Sequence, residues 1–138
     1  MSSRSVLLVE DDRLTAMAAE QALSRAGFQV VGHVEDEASA LRRAQQPAPD
    51  YAVVDLDLAG GGSGLRVGEA LAAAGVRVVY ATGHGPAWRQ EMEDSGAKAC
   101  LAKPYAAEDV PAALEVLERL LRGQQAPAVP EGMHLFID

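Results

Sequence analysis

Seven residues of this 138-residue chain carry groups that could do chemistry together: Glu10, Asp11, Asp12, Asp55, Asp57, Thr82 and Lys103. Each set follows an apolar run. Val6-Leu7-Leu8-Val9 precedes Glu10, Tyr51-Ala52-Val53-Val54 precedes Asp55, Val76 to Ala81 precedes Thr82, and Ala99-Cys100-Leu101-Ala102 precedes Lys103. Short β-branched runs between turn signals read as strands buried on both faces of a parallel sheet. In such a sheet working groups lie outside the carboxyl ends of the strands. Taken singly, each residue has a plain reading: Asp55 opens a turn, Thr82 caps a strand end, and Lys103-Pro104 stops a strand. Four strand ends turning polar together point instead to a site.

Brought together, Glu10, Asp11 and Asp55 repel one another, and their ionised forms need cations beside them. Lys103 supplies one fixed charge. Oxygen-only ligands with open positions suit a magnesium ion that keeps several waters. Asp11 reads as a direct ligand, Glu10 as a ligand through a bound water, and the Asp57 backbone carbonyl as a further oxygen. The reaction this set favours is phosphoryl transfer to a carboxylate, with Asp55 as nucleophile. Metal and Lys103 would then neutralise the phosphoryl oxygens, and the Thr82 hydroxyl would donate to one of them.

The intervening segments read as helices that position these strand ends. Arg13 to Ala26 carries Leu14, Met17, Ala18 and Ala22 near one face and stops at Gly27. Asp36 caps a helix from Glu37 to about Gln45, with Ala38 and Leu41 inward. Leu65 to Ala74 is short and Ala-rich. Ala87 to Ser95 has little apolar face beyond Trp88 and Met92, which predicts the least stable helix. The last helix places Val110, Leu114, Leu117 and Leu121 on one stripe and ends near Arg122. Five strands alternating with five helices give an α/β, doubly wound, five-stranded parallel sheet of flavodoxin-like order 2-1-3-4-5. Residues 1–122 form that domain. Residues 123–138 stand apart because Pro127 and Pro130 interrupt them, although Met133-His134-Leu135-Phe136-Ile137 is apolar enough to dock.

Composition narrows the partners. The net charge of −8 with no basic run argues against nucleic acid and anionic membrane. No apolar run approaches the roughly 18 residues of a membrane span, and Met1-Ser2-Ser3-Arg4 leads into a strand with no signal peptide. A lone Cys100 excludes an internal disulfide, and the chain reads as cytoplasmic. Cys100 itself reads as a small core residue, His84 as an exposed loop histidine, and His33 and His134 show no metal-ligand spacing.

In this order, Leu8-Val9-Glu10-Asp11-Asp12, Asp50 to Leu58, Tyr80-Ala81-Thr82-Gly83 and Ala102-Lys103-Pro104-Tyr105 resemble the receiver domain of two-component response regulators. The resemblance spans about Arg4 to Arg122. It implies that Asp55 accepts phosphate from the phosphohistidine of a sensor histidine kinase. It also implies that Glu10, Asp11, Asp55 and the Asp57 carbonyl surround Mg2+, that Thr82 closes on the phosphoryl group, and that Lys103 pairs with it. In that family the Lys-Pro bond is commonly cis. The family's strand 5 aromatic is here Cys100. Tyr80-Ala81-Thr82-Gly83-His84-Gly85 resembles the Phe-Ala-Thr-Gly-Tyr-Gly motif of a subgroup that also lacks the aromatic and has a shortened or mobile helix next. With nothing after Arg122 that reads as an output module, the chain is expected to be a stand-alone receiver, monomeric or weakly dimeric. It would act by protein contact or by passing phosphate to a histidine phosphotransfer protein.

Two other readings share these residues. Asp55-Leu56-Asp57 resembles the Asp-x-Asp motif of haloacid-dehalogenase-type phosphatases, but their additional acidic ligands follow the lysine, whereas Glu10 and Asp11 precede everything. A phosphate- or nucleotide-binding module built on Gly60 to Gly64 lacks the required glycine spacing.

Overall fold

The computed structural model describes residues 4–58 and 63–136, so most of the Gly60–Gly64 loop lies outside the described residues. The elements alternate from the start: β1 (Ser5–Val9), α1 (Arg13–Arg25), β2 (Gln29–Val34), α2 (Glu37–Arg43), β3 (Tyr51–Asp55) and α3 (Gly64–Ala73). Then come β4 (Arg77–Thr82), a single 3-10 turn (Gly85–Trp88), α4 (Arg89–Asp94), β5 (Ala99–Ala102), α5 (Asp109–Leu121) and β6 (Met133–Leu135). The sheet order is β2-β1-β3-β4-β5-β6. The first five strands are parallel, as a repeated strand-helix pattern requires, because each helix carries the chain back to start the next strand.

Period-two alternation sorts the core into two layers. Val6, Leu8, Tyr51, Val53, Val79 and Leu101 pack under α1 and α5. Leu7, Val9, Ala52, Val54, Val78 and Tyr80 pack under α2, α3 and α4. Asp50 fixes the entry to the sheet: its carboxylate accepts from the Ser5 N–H at 2.9 Å and the Ser5 hydroxyl at 3.1 Å, tying the starts of β3 and β1.

The architecture differs from the sequence expectation at its edge. The sheet has six strands, because β6 pairs antiparallel with β5, His134 lying opposite Cys100. Met133 is buried among α5 residues, and Phe136 packs on the opposite layer with the Arg89 guanidinium 5.7 Å from its ring centre. Ile137 and Asp138 lie outside the described residues.

Two helix faces also need correction. Helix α1 buries Ala16, Ala19, Ala22 and Leu23, leaving Leu14 78% and Met17 56% exposed. The Leu14/Met17 stripe was the more hydrophobic reading. The sheet instead takes the face made of Ala16, Ala19, Ala22 and Leu23. On α2 the buried residue is Ala40; Ala38 is exposed and Leu41 half-buried. Helix α5 follows the expected stripe except that Leu121, in the last turn, emerges into solvent. The helix expected over Ala87–Ser95 is shorter still: the 3-10 turn takes its start, and only Arg89–Asp94 are α-helical.

Candidate functional site

The order β2-β1-β3 places the ends of β1 and β3 side by side, with Val9 opposite Val54, so Glu10 and Asp55 leave the sheet together. Carboxylate oxygens of Glu10, Asp11 and Asp55 lie within 4.8 Å of one another. Asp55 is only 4% exposed. Its Oδ1 accepts from the Lys103 Nζ at 3.0 Å and from the Asp57 N–H at 3.0 Å. Lys103 reaches it from β5, where the Lys103 N–H donates to the Thr82 carbonyl at 2.8 Å and the Lys103–Pro104 bond is cis.

Asp12 belongs to the backbone rather than to the acidic cluster's charge balance. It N-caps α1, accepting from the Leu14 and Thr15 N–H groups at 3.0 and 3.3 Å. Its own N–H donates to Glu10 Oε2 at 3.1 Å, so the start of α1 orients Glu10.

Electrostatics mark the cluster as short of positive charge. Burial pushes the Glu10 carboxyl up to about 7; the Asp12 N–H opposes this, while Asp55 and Asp11 add to it. Burial pulls the Lys103 ammonium down, but Asp55, Glu10 and Asp57 outweigh that and hold its pKa above the ordinary lysine value. One lysine against three carboxylates leaves a deficit that a divalent cation with oxygen ligands would meet, so the donor set fits such an ion.

Thr82, at the end of β4, is 1% exposed, and its hydroxyl oxygen accepts from the His84 N–H at 3.0 Å. The Asp57 side chain points out to solvent and pairs with His84 at 2.7 Å, so His84 is more than a free loop histidine. Cys100 is buried, and burial raises its thiol pKa, consistent with an inert core position.

Sequence reasoning missed three participants. Tyr105 lines the pocket, its hydroxyl pushed up to about 12 by burial and by Glu10 and Asp55. Its position directly after Lys103-Pro104 was the available signal. The His33 Nε2 lies 2.7 Å from the Glu10 carbonyl oxygen, a contact across β1 and β2 with no local signature. The His84–Asp57 pair joins two loops and was equally silent.

A family profile described as "Response regulator receiver domain" matches residues 6–129. The photosynthetic apparatus regulatory protein RegA of Rhodobacter capsulatus is 37% identical over 134 residues, 94% of this chain and 68% of RegA. The acid tolerance regulatory protein ActR of Sinorhizobium medicae is 37% identical over 80% of this chain, and the match spans 58% of ActR. A response regulator from Burkholderia pseudomallei, solved with a phosphorylated aspartic acid, calcium ion and citrate, superposes with a TM-score of 0.74 at 27% identity, covering 88% of this chain and 72% of that one. No helix among the described residues is long and apolar enough to cross a membrane. The alternative of a haloacid-dehalogenase-type phosphatase finds no support, since these relatives are regulators and the profile runs through both acidic runs and Lys103. The chain belongs to the response regulator receiver domain family, whose members are phosphoacceptor signalling domains rather than enzymes.

Proposed function

We propose that Asp55 is the phosphoacceptor of this receiver, taking a phosphoryl group from the phosphohistidine of a sensor histidine kinase. The observation that carries the reading is the geometry at Asp55: a nearly sealed carboxylate, held by Lys103 and the Asp57 N–H, within 4.8 Å of two more carboxylates. Glu10, Asp11, Asp55 and the Asp57 carbonyl would hold Mg2+, which when bound supplies positive charge to the transferring phosphoryl oxygens.

In the transfer, an Asp55 carboxylate oxygen attacks phosphorus, the phosphorus–nitrogen bond to the donor imidazole breaks, and the imidazole nitrogen leaves with the bonding pair. Lys103, fixed at 3.0 Å from Asp55 Oδ1, is placed to neutralise charge gathering on the phosphoryl group. The Thr82 oxygen accepts from the His84 N–H at 3.0 Å and keeps its own proton to donate to that group, so the Thr82–His84 segment carries the contact to the phosphoryl oxygens. The six-residue α4 beyond it supports the likeness to the subgroup without an aromatic on strand 5.

Output by protein contact or phosphorelay fits the surface. Leu14 and Met17 stand exposed on α1, in the helix whose Thr15 borders the Asp55 pocket, and offer an apolar footing to a docking helix. Residues 1–122 would form the receiver proper and 123–138 an appended segment, in a cytoplasmic protein that is monomeric or weakly dimeric. The test is intact mass measured after incubation with Mg2+ and acetyl phosphate, wild type beside Asp55→Asn. One phosphate is expected on the wild type and none on the variant or without Mg2+. Retained labelling in Asp55→Asn would move the acceptor elsewhere.

A further inference from the structure

Tyr80 lies wholly inside the layer that carries α3 and α4, and two groups meet its hydroxyl. Its oxygen is 2.7 Å from Ser95 Oγ and 3.4 Å from the Leu65 carbonyl oxygen. Ser95, also buried, caps the C-terminal end of α4 and donates to the Met92 carbonyl at 2.7 Å. With the Ser95 proton spent on Met92, the Tyr80 O–H donates towards Ser95 and Leu65. One hydroxyl therefore touches the first turn of α3 and the C-cap residue of α4.

Two further observations show that this contact is built in. Gly68 of α3 lies where the phenol passes: a Cβ there would fall within 2.0 Å of the Tyr80 hydroxyl oxygen, so only glycine lets it through. Directly across the strand pair, Tyr80 faces Cys100, so β5 contributes only a thiol beside the ring. The phenol is also a durable donor, because burial raises its pKa to about 12.

The contact sits below both loops that flank Asp55. The start of α3 rests on the phosphoacceptor's own backbone: the Gly64 N–H donates to the Leu56 carbonyl at 3.1 Å, and a Cβ on Gly64 would lie 2.3 Å from the Asp55 carbonyl oxygen. The other loop leaves β4 at Thr82 and runs through His84 into α4. At their solvent side the same two loops meet again through His84 and Asp57.

We propose that the Tyr80 hydroxyl is a positioning group for the phosphoacceptor site, joining the start of α3, which rests on the Asp55–Leu56 backbone, to the C-terminal end of α4, which follows Thr82 and His84. The inference rests on Asp55 being the acceptor. Of the two links between the loops, the exposed His84–Asp57 pair is free to open while the buried Tyr80 link stays closed. A rearrangement at Thr82 is thereby confined to the stretch from Thr82 to the start of α4.

The test is Tyr80→Phe, which deletes one oxygen and keeps the ring. Hydrogen exchange is expected to quicken together in the first turn of α3 and in α4, by about five-fold, the worth of an ordinary buried hydrogen bond. The half-life of the acetyl-phosphate-derived label on Asp55, measured well below the melting temperature, is expected to change by at least about two-fold for an effect of that size. Tyr51→Phe is the control, since it removes a buried tyrosine hydroxyl on the other layer, where Arg77 is its contact at 3.5 Å. It should move neither readout. Ser95→Ala should quicken exchange in the same two places, and because the two variants share the Tyr80–Ser95 bond the double variant should change exchange by less than the sum of the singles. Faster exchange in one helix alone, additive effects, or an unchanged label half-life beside a lowered melting temperature would overturn the proposal. If the wild type takes no label, the phosphoacceptor reading fails, and the proposal, which rests on it, falls as well. Coupled exchange in α3 and α4 would then report a structural link only.

Discussion

Helices α5 and α4 flank the same strand, β5, and are built to opposite standards. Helix α5 runs 13 residues and buries Val110, Pro111, Ala113, Leu114, Val116 and Leu117. Helix α4 runs six residues and buries Met92 alone, with Ser95 sealed at its end. A helix of that length cannot persist on backbone hydrogen bonding, so tertiary contacts decide whether it forms. What holds α4 is a short set of particular contacts: Met92 in the core, the Tyr80–Ser95 hydroxyls, and Arg89 over Phe136. The difference lies where a switch needs it. The rigid side carries the helix that follows Lys103-Pro104, and the loosely held side carries the loop that follows Thr82.

The contrast can be broken from the rigid side first. Leu117→Ala in α5 removes a fully buried side chain and is expected to cost about 3 kcal/mol of global stability, read as a shift in the denaturant midpoint. Native-state hydrogen exchange should show α4 opening well before α5. Equal protection in the two helices would erase the distinction.

Removing residues 123–138 tests what β6 contributes to both sides. Met133 leaves the α5 layer and Phe136 leaves Arg89, so a loss of about 2 kcal/mol is expected, together with faster exchange in α4. Unchanged stability would mean that β6 adds nothing to the sheet.

The smallest expected effect concerns the acidic cluster without metal. Glu10 has a folded-state pKa raised to about 7 from 4.5, so between those values the folded state binds more protons than the unfolded chain. In chelator, stability should therefore fall as pH rises from about 4.5 to 7, and Glu10→Gln should flatten that slope. Added Mg2+ should restore stability most at the upper end of the range. A slope unchanged in Glu10→Gln would place the charge conflict elsewhere in the cluster.

Much of the site was legible in the chain because it depends on strand ends. A buried β-branched run announces itself locally, and the residue after it must leave the core; Glu10, Asp55, Thr82 and Lys103 all follow such runs. The parallel order then follows from alternation with helices, and it brings Glu10 beside Asp55. Helix faces were less legible. In α1 the apolar residues outnumber what one face can hold, and periodicity alone cannot tell the Leu14/Met17 stripe from the alanine face that packs. Contacts across large sequence separations left no local trace: His33 on the Glu10 carbonyl, His84 on Asp57, and the Tyr80 hydroxyl on Ser95.

The sequence by itself determined the strand-helix alternation, the identity of the reactive groups and the small apolar face of α4, because each is a matter of local hydrophobic period and residue type. Tertiary structure alone decided the sixth strand, the pairing of His84 with Asp57 and the meeting of α3 with α4 at one hydroxyl. Those depend on which backbone groups of β5 and which cavities of the core remain to be filled once the five parallel strands have assembled.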